Sequence, residues 1–282
     1  MAHATQPKSW LVIGANGMLG SMMVERLTAS GANVQGVILS DLDITNEQQT
    51  ESVIRERKPE IIMNCAAYTN VDGAEADEET ALAVNGDGVR NLARAAKGLG
   101  ARIVHISTDY VFSGTQADGY NEDAQPEPKG AYGRTKLAGE RALAEEGADF
   151  LLVRSAWLYG PRGKNFVDTI AEKLQAGETL KVVGDQVGSP TFTGDLAEGI
   201  IALVNDEAPS GIYHLVNSGC ASWYDLACAI REEIGLTTPI TEVTTAEFPR
   251  PAPRPAYSVL NNTKRPPLPP WRDALTRYLT HP

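Results

Sequence analysis

Long apolar runs and clusters of positive charge are both missing from this sequence. Lys and Arg total 25 against 36 Asp and Glu, which gives a formal net charge of −11. Nucleic acids and anionic membranes are bound through clustered Lys and Arg, so neither partner is expected. The longest apolar stretches have the length of single strands, far below the roughly 20 residues that span a bilayer.

Cysteine and histidine are also scarce. The three cysteines, Cys65, Cys220 and Cys228, are an odd number without metal-ligand spacing, and the four histidines are scattered. This usage fits a reducing compartment, so the sequence predicts a cytoplasmic protein without a metal site. Residues 1–9 contain no apolar segment of the kind found in secretory signals, and we expect no signal there.

What the sequence does contain is a regular alternation of short apolar runs and amphipathic segments. The 282 residues are 42% hydrophobic and 22% charged, as in folded globular proteins. Strands are predicted at 10–15, 33–39, 60–67, 101–108 and 149–156, and helices at 18–30, 47–58, 75–99 and 132–147. Such alternation predicts an α/β fold, a Rossmann-type doubly wound parallel sheet covered on both faces.

The alternation of strands and helices becomes less regular beyond Gly160. This change predicts a dinucleotide-binding domain at 1–160 and a smaller, partly interleaved substrate subdomain at 161–282. Helices are predicted at 165–175, 193–204, 222–234 and 271–279, and short strands at 179–184 and 211–217. Eight of the 17 prolines lie between Pro249 and Pro270. This segment is either a disordered SH3-type ligand or a rigid ordered loop, and the helical pattern after it favours the loop.

The first strand runs into a glycine-rich turn that opens a helix. Gly14-Ala-Asn-Gly17-Met-Leu-Gly20 is a GxxGxxG variant of the dinucleotide fingerprint, in which glycine lets the backbone approach the pyrophosphate. A glycine-rich turn of any α/β protein is the alternative, but the position at the first strand–helix junction favours phosphate binding.

The second strand leaves the choice between NADH and NADPH open. Val37 and Ile38 stand where an acid often binds the ribose, and no Lys or Arg lies between Arg26 and Arg55 for a 2′-phosphate. Asp41 and Asp43 follow slightly later in the chain. Asp43 either contacts the adenine or is an acid near the N-cap of the following helix.

Tyr132-Gly-Arg-Thr-Lys136 is a YxxxK sequence at the start of a predicted helix. The i, i+4 spacing puts the phenol and the ammonium on one face, where the cation is expected to lower the pKa of the phenol. Thr108 ends the fourth strand, where doubly wound sheets place their sites, and its hydroxyl could bind a carbonyl oxygen. His105, inside that strand, is predicted to be a core residue.

Together these segments resemble the extended short-chain dehydrogenase/reductases and, within them, the dTDP-4-dehydrorhamnose reductase family. The resemblance rests on GANGMLG, on NCAAYTNVD at 64–72, on STDYVFSG at 107–114, and on YGRTKLAGE and VRSAWLYG. It runs from about Lys8 to the final predicted helix and includes GDQVGSPT at 184–191 and Arg254-Pro255.

The resemblance implies roles for individual residues. Thr108, Tyr132 and Lys136 would be the catalytic hydroxyl, the proton donor and the lysine that tunes it. The implied cofactor residues, for NADPH or NADH, are Gly14, Asn16, Gly17, Met18, Leu19, Gly20, Asp43, Ile44, Ala66, Ala67, Tyr68 and Asn85, with Tyr132 and Lys136. The implied substrate residues are Val71, Asp109, Tyr110 and Trp157 for the sugar, and Gln186, Arg250 and Arg254 for the nucleotide diphosphate. For Trp157 a core position is the alternative, and for Arg250 and Arg254 the alternative is a solvated position in the loop.

Two departures limit what the resemblance implies. Some members dimerise through a magnesium ion held by glutamates, one of them just after the glycine loop, where this chain has Ser21-Met-Met-Val24. No metal is therefore expected, although a homodimer remains possible. Related sugar dehydratases follow the threonine with Asp-Glu, whereas Thr108 is followed by Asp109 and Tyr110, which disfavours dehydration.

The expected function is reduction of the 4-keto group of a nucleotide-linked 4-keto-6-deoxyhexose, dTDP-4-dehydrorhamnose in the first place. A related reductase of antibiotic sugar synthesis, such as one of dihydrostreptose type, is the nearest alternative. A non-catalytic regulatory subunit of the same fold, like the methionine adenosyltransferase β-subunit, is the alternative of another class. The presence of Thr108, Tyr132 and Lys136 together argues against it.

Overall fold

A six-stranded parallel sheet lies at the centre of the protein in a computed structural model, which describes residues 8–280. The strands are β1 (Ser9–Ile13), β2 (Asn33–Val37), β3 (Ile61–Asn64), β4 (Arg102–Thr108), β5 (Asp149–Ser155), β6 (Leu158–Tyr159), β7 (Leu180–Val183), β8 (Val187–Gly188), β9 (Thr191–Phe192), β10 (Gly211–His214), β11 (Asn217–Ser218), β12 (Ala221–Ser222), β13 (Ile240–Val243) and β14 (Leu268–Pro270). The order in the main sheet is β2-β1-β3-β4-β5-β10. The strand order therefore reverses between β1 and β3.

Helices cover both faces of this sheet. They are α1 (Met18–Ala29), α2 (Glu47–Arg57), α3 (Val71–Ala76), α4 (Glu78–Leu82), α5 (Gly88–Leu99), α6 (Ala131–Glu146), α7 (Phe166–Gln175), α8 (Thr193–Asn205), α9 (Trp223–Glu233) and α10 (Trp271–Thr280). A π-helical turn, Ala83–Asp87, joins α4 to α5. The remaining strands form four small two-stranded sheets, β6–β9, β7–β13, β8–β12 and β11–β14.

Strand β1 explains why the sheet is buried on both faces. Trp10 and Val12 pack into the core cluster on the side of α1 and α8, whereas Leu11 and Ile13 pack into the cluster on the side of α2 and α5. Successive side chains of a strand point to opposite faces, so an unbroken apolar run fills both cores. The predicted Rossmann-type fold class is confirmed.

The long helix predicted over 75–99 is wrong, because the structure divides that stretch. Asp77 has a non-helical backbone, with φ −144° and ψ 70°, and its side chain accepts from the Thr80 amide to start α4. The π-helical turn Ala83–Asp87 then carries the buried Asn85. A polar side chain that must turn inward to satisfy other groups distorts the helix at this point.

The four helices predicted beyond Gly160 are confirmed as α7 to α10. Strand β10, from the same part of the chain, pairs in parallel with β5 at the edge of the main sheet. The later part of the chain therefore completes the sheet of the earlier part, and the division at residue 160 stays a prediction.

The proline-dense segment lies against the body as an ordered extended loop, as predicted. The Ala252 amide donates to the Asp72 carboxylate at 3.1 Å, and the Tyr257 amide donates to the Gly114 carbonyl at 3.1 Å. A β-carbon on Gly114 would lie 2.3 Å from Pro255, so this contact requires a glycine.

Residues 1–7, where no signal is expected, and residues 281–282 lie outside the described part of the chain. Among the helices of residues 8–280, none combines the length and the apolar character that a membrane span requires.

The close contact between Gly139 of α6 and the π-helical turn predicts how substitutions change the stability of the fold. A β-carbon on Gly139 would lie 2.2 Å from the Asn85 carbonyl oxygen, whereas a β-carbon on Gly98 of α5 would meet nothing within 4 Å. We expect Gly139→Ala to lower the free energy of unfolding by about 2 kcal/mol through overpacking. The control Gly98→Ala should raise it by about 0.5–1 kcal/mol, because alanine favours the helix. Urea unfolding measures both, and equal effects would contradict the close approach.

Candidate active site

A cavity of about 860 Å³ opens at the carboxyl ends of β1, β3, β4 and β5. This is the edge at which doubly wound sheets bind ligands, next to the point where the strand order reverses. Most of the residues singled out from the sequence line it: Gly14, Asn16, Gly17, Met18, Leu19, Asp43, Ile44, Ala66, Ala67, Tyr68, Val71, Thr108, Asp109, Tyr110, Tyr132, Lys136 and Trp157. The others, Gly20, Asn85, Gln186, Arg250 and Arg254, lie outside the lining.

The glycine loop forms a cradle that side chains would fill. Gly14 has φ +76°, and a β-carbon on it would lie 2.9 Å from the Ala66 amide nitrogen. A β-carbon on Gly20 would lie 2.1 Å from the Gly14 carbonyl oxygen, so Gly20 acts by letting α1 pack onto the loop. Helix α1 has no acid in its first turn and no side-chain cap at Gly17. Its first amides and positive dipole end are thus available to an anion, which fits a dinucleotide pyrophosphate.

The residues after β2 form the far end of the cavity. Asp43 accepts from the Thr45 amide and hydroxyl through Oδ1, at 3.0 and 2.8 Å. The cap of α2 is Asn46, whose side chain accepts from the Gln49 amide, so Asp43 does not cap that helix. Asp43 and the neighbouring Ile44 both face the cavity, and their contact with adenine stays a prediction.

Asn85 acts one layer behind the cavity. Its side chain accepts from the Tyr68 amide at 2.9 Å and donates to the Tyr68 carbonyl and the Thr135 hydroxyl, both at 3.1 Å. The buried amide therefore ties the segment after β3 to helix α6. The π-helical turn described above is what brings this side chain inward.

Lys136 is almost fully buried, and its ammonium donates to the Ile106 carbonyl at 2.7 Å. Burial lowers the pKa of Lys136 to about 8, while the Glu140 carboxylate on the same helix opposes that shift. The His105 ring lies 3.5 Å away and also contacts Asn64 at 3.0 Å. His105 is buried, as predicted, and burial together with the Lys136 charge holds its pKa well below the usual range.

The Tyr132 hydroxyl carries the opposite pKa shift to the one expected from Lys136. Loss of contact with water raises the pKa of Tyr132, the Asp109 charge raises it further, and the Thr108 hydroxyl lowers it. The sequence could not give this sign, because desolvation depends on the packing around the ring. Tyr132 also packs edge-on against Tyr110, with ring centroids 5.6 Å apart.

Thr108 is oriented by its neighbour in the chain. Its hydroxyl donates to the buried Asp109 carboxylate at 3.0 Å and accepts from the Tyr110 amide at 3.2 Å. The other Asp109 oxygen accepts from the Ser258 hydroxyl at 2.6 Å. Burial raises the pKa of Asp109 to about 6, against these hydrogen bonds.

A buried network of charged and polar side chains holds the end of β4 against helix α6 and strand β5. Ser107 donates to Glu140 at 2.5 Å, and Arg154 donates to both oxygens of Glu140 at 2.9 and 2.6 Å. Arg154 also lies over the Phe112 ring, 4.9 Å from its centroid. The sequence did contain a signal for this network, because Arg154 lies inside an apolar strand. A charge buried there needs a partner of opposite charge.

Two tryptophans form part of the cavity wall, and the sequence indicated only one of them. The rings of Trp157 and Trp223 stack with centroids 3.5 Å apart and planes 3° apart, and both line the cavity. Trp157 has φ +48°, and a β-carbon on Gly188 would lie 2.4 Å from its ring. The left-handed backbone costs free energy, and the stack and the flat contact with Gly188 hold the ring in place.

The three residues predicted to bind diphosphate lie at the edge of the site or beyond it. Gln186 is buried and donates to the Thr245 hydroxyl at 2.9 Å. Arg250 lies on the exposed Phe248 ring. Arg254 pairs with Asp72 at 3.0 Å.

Arg254 is nevertheless close to the cavity. Burial raises the pKa of Tyr110, and the charge of Arg254 opposes that shift. Of the three residues, Arg254 is thus the one whose charge reaches a cavity-lining side chain.

The lining also includes residues that the sequence did not single out. The loop after β6 brings Arg162, Gly163 and Lys164 to the cavity, and Leu39 lies near Asp43. Within the described ranges, no group of three or more His, Cys, Asp and Glu side chains is arranged to hold a metal ion.

Comparison with known proteins agrees with this geometry. The family model described as the RmlD substrate binding domain matches residues 8–282. A dTDP-4-dehydrorhamnose reductase of Streptomyces griseus is 43% identical over 279 residues, covering 95% of this chain and 91% of that protein. A probable dTDP-4,6-dihydroxy-2-methyloxan-3-one 4-ketoreductase of Streptomyces antibioticus is 43% identical over 273 residues, covering 94% and 92%.

Among solved structures, the dTDP-4-dehydrorhamnose reductase of Bacillus anthracis in complex with NADP superimposes with a TM-score of 0.95. It is 36% identical and covers 98% of this chain and 100% of that one. The chain is therefore similar over nearly its whole length to enzymes of one reaction type.

The buried ammonium of Lys136 predicts how stability depends on pH. The native state releases this proton near pH 8, whereas an unfolded lysine releases it near pH 10.4. Between the two the unfolded state holds more protons, so this group makes stability rise with pH. Relative to Lys136→Met, the wild-type free energy of unfolding should therefore grow by up to about 3 kcal/mol from about pH 7 to about pH 10.5. Urea unfolding of both proteins measures it, and a constant difference would contradict the lowered pKa.

Proposed function

The chain belongs to the RmlD substrate binding domain family, and from that premise we propose that it reduces the 4-keto group of a nucleotide-linked 4-keto-6-deoxyhexose. It is an NAD(P)H-dependent oxidoreductase. The substrate we place first is dTDP-4-dehydrorhamnose, which becomes dTDP-rhamnose. The observation that carries the proposal is that Tyr132, Thr108 and Lys136 lie in one cavity with a glycine cradle.

The glycine cradle and its surroundings fit a nicotinamide dinucleotide. The amides at the start of α1 would hold the pyrophosphate, and Asp43 with Ile44 would bind the adenine. The other residues assigned to the cofactor are Asn16, Ala66, Ala67, Tyr68 and, through Tyr68, Asn85. When bound, the reduced nicotinamide supplies the hydride that adds to C4 of the sugar.

Tyr132 supplies the proton that balances this hydride. Its raised pKa keeps the phenol protonated at neutral pH, and it donates to the keto oxygen as that oxygen gains negative charge. Thr108 lies in the same cavity, and Asp109 accepts a hydrogen bond from its hydroxyl in the free protein. On substrate binding the Thr108 hydroxyl turns this proton from Asp109 to the keto oxygen, so that it donates to the same oxygen as Tyr132. Lys136, one helical turn along α6, places a positive charge on the face where the phenolate is left.

The substrate occupies the remainder of the cavity. Val71, Asp109, Tyr110 and Trp157 are assigned to the sugar. The apolar stack of Trp157 and Trp223, which lines the cavity, suits the methyl group of a 6-deoxyhexose. Gln186, Arg250 and Arg254 are assigned to the nucleotide diphosphate, where guanidinium groups suit the phosphate oxygens.

A second candidate is a related deoxysugar reductase of antibiotic biosynthesis. It is favoured by the Streptomyces antibioticus ketoreductase, which is as similar to this chain as the Streptomyces griseus enzyme. Both candidates use the same hydride and proton chemistry and differ in the sugar. The free thiols of Cys65, Cys220 and Cys228 favour a reducing compartment, so we place the reaction in the cytoplasm. A homodimer stays a prediction.

The function is tested by following NAD(P)H consumption with a panel of nucleotide-linked 4-keto sugars. We expect dTDP-4-dehydrorhamnose to be the best substrate. Tyr132→Phe should fold and bind the cofactor but lose turnover by about 10²–10⁴-fold, because delivery of a proton by a positioned group contributes that much. Near-full activity of the variant would remove Tyr132 from the mechanism. Preference for another keto sugar would favour the second candidate.

The two arginines of the proline-dense loop provide a matched pair. Arg254→Ala should raise the KM for the sugar nucleotide by roughly tenfold, the value of a charge-assisted hydrogen bond, and change the KM for NAD(P)H less. Arg250→Ala, which removes an exposed guanidinium stacked on Phe248, should change the substrate KM less than Arg254→Ala. Initial rates with each substrate varied in turn measure both. Equal effects of Arg254→Ala on the two substrates would indicate loss of folding instead.

A further inference from the structure

The loop 161–164, which we call the cationic loop, lies over the start of helix α1. Its residues Arg162, Gly163 and Lys164 line the same cavity as the glycine cradle, and all three are exposed. A β-carbon on Gly163 would lie 3.2 Å from both Cβ and Cε of Met18, the first residue of α1. The glycine thus lets the loop pack closely against the first residue of the helix.

Neither cation of this loop has a partner in the part of the chain that the structure describes. Across residues 8–280, no ion pair or hydrogen bond holds the side chain of Arg162 or Lys164, whereas most other Arg and Lys side chains are paired. Of the acids that line the cavity, Asp43 is bonded to Thr45, and Asp109 to Thr108 and Ser258. In a chain of net charge −11, two unpaired cations at a cavity mouth make a local site of attraction for an anion.

The backbone of the loop is strained at Arg162. Its φ of +60° lies in the left-handed region, which glycine adopts readily and other residues at a cost. Lys58 has a similar φ of +47°, but it caps the end of α2, where this conformation is common. Arg162 caps no helix. An arginine held in this conformation beside a cavity points to a function for its side chain.

We propose that Arg162 and Lys164 bind the diphosphate of the nicotinamide cofactor from the side opposite the α1 amides. The anion then lies between the helix N-terminus and the cationic loop. The contact of Gly163 with Met18 places the loop over the pyrophosphate position, whereas a 2′-phosphate belongs to the end of the cavity after β2. This inference rests on the proposed use of a nicotinamide cofactor.

Binding titrations test it without requiring turnover. The double variant Arg162→Ala/Lys164→Ala is compared with Lys58→Ala/Arg141→Ala, which removes two exposed cations that lie outside the cavity lining. We expect the first to weaken binding of NADPH and of NADH alike, by about tenfold or more, and to leave binding of dTDP unchanged. It should also flatten the dependence of cofactor affinity on salt. The control should match the wild type.

A single substitution separates binding from folding. Arg162→Gly removes the charge and the strain together, so it should raise the melting temperature of the free protein while it weakens binding of both cofactors. Arg162→Lys keeps a charge and should retain part of the affinity.

Each alternative has its own result. Loss of NADPH affinity alone would assign the loop to the 2′-phosphate and overturn the proposal. Loss of dTDP affinity alone would assign it to the substrate and also overturn it. Equality with the control would show that the loop binds no phosphate. A wild-type protein that binds neither cofactor would instead remove the proposed function, and this inference with it.

Discussion

The hydrogen bond from the Lys136 ammonium to the Ile106 carbonyl, 2.7 Å long, joins helix α6 to strand β4, and the geometry of the site depends on it. A buried ammonium must be partnered, so this contact fixes the position of the helix along the strand. Tyr132 lies one turn before Lys136, and Thr108 lies two residues after Ile106. The Ile106 carbonyl oxygen therefore determines the relative position of the Tyr132 phenol and the Thr108 hydroxyl.

Other parts of the molecule serve the same constraint. Glu140 places a carboxylate one turn beyond Lys136, and Arg154 neutralises that carboxylate from the next strand. Asn85 holds the segment after β3 against the same helix through Tyr68 and Thr135. The catalytic part of the site is thus assembled from the ends of β3, β4 and β5 and from helix α6, and buried polar contacts determine their relative positions. Such networks specify one arrangement because each unpaired member would be costly.

The sequence predicted the sheet, the glycine loop and the Tyr132–Lys136 pair because each depends on residues close together in the chain. An apolar run buried on both faces and a four-residue spacing are local signals. The break at Asp77 and the inward turn of Asn85 were not predicted, since they depend on what Tyr68 and Thr135 require. Trp223, Arg162 and Lys164 were missed because distant segments bring them to the cavity. The direction of the Tyr132 pKa shift needs the packing around its hydroxyl, which no motif contains.

The central claim is that a hydride goes to C4 of the sugar while Tyr132 protonates the oxygen. Transfer from cofactor that carries deuterium at both hydrogen positions on C4 of the reduced nicotinamide tests this most directly. The enzyme is given dTDP-4-dehydrorhamnose, and the product is analysed by mass spectrometry and proton NMR. The account predicts one deuterium per product molecule, on C4 of the sugar. Deuterium at another carbon, or a reduced sugar without deuterium, would contradict it.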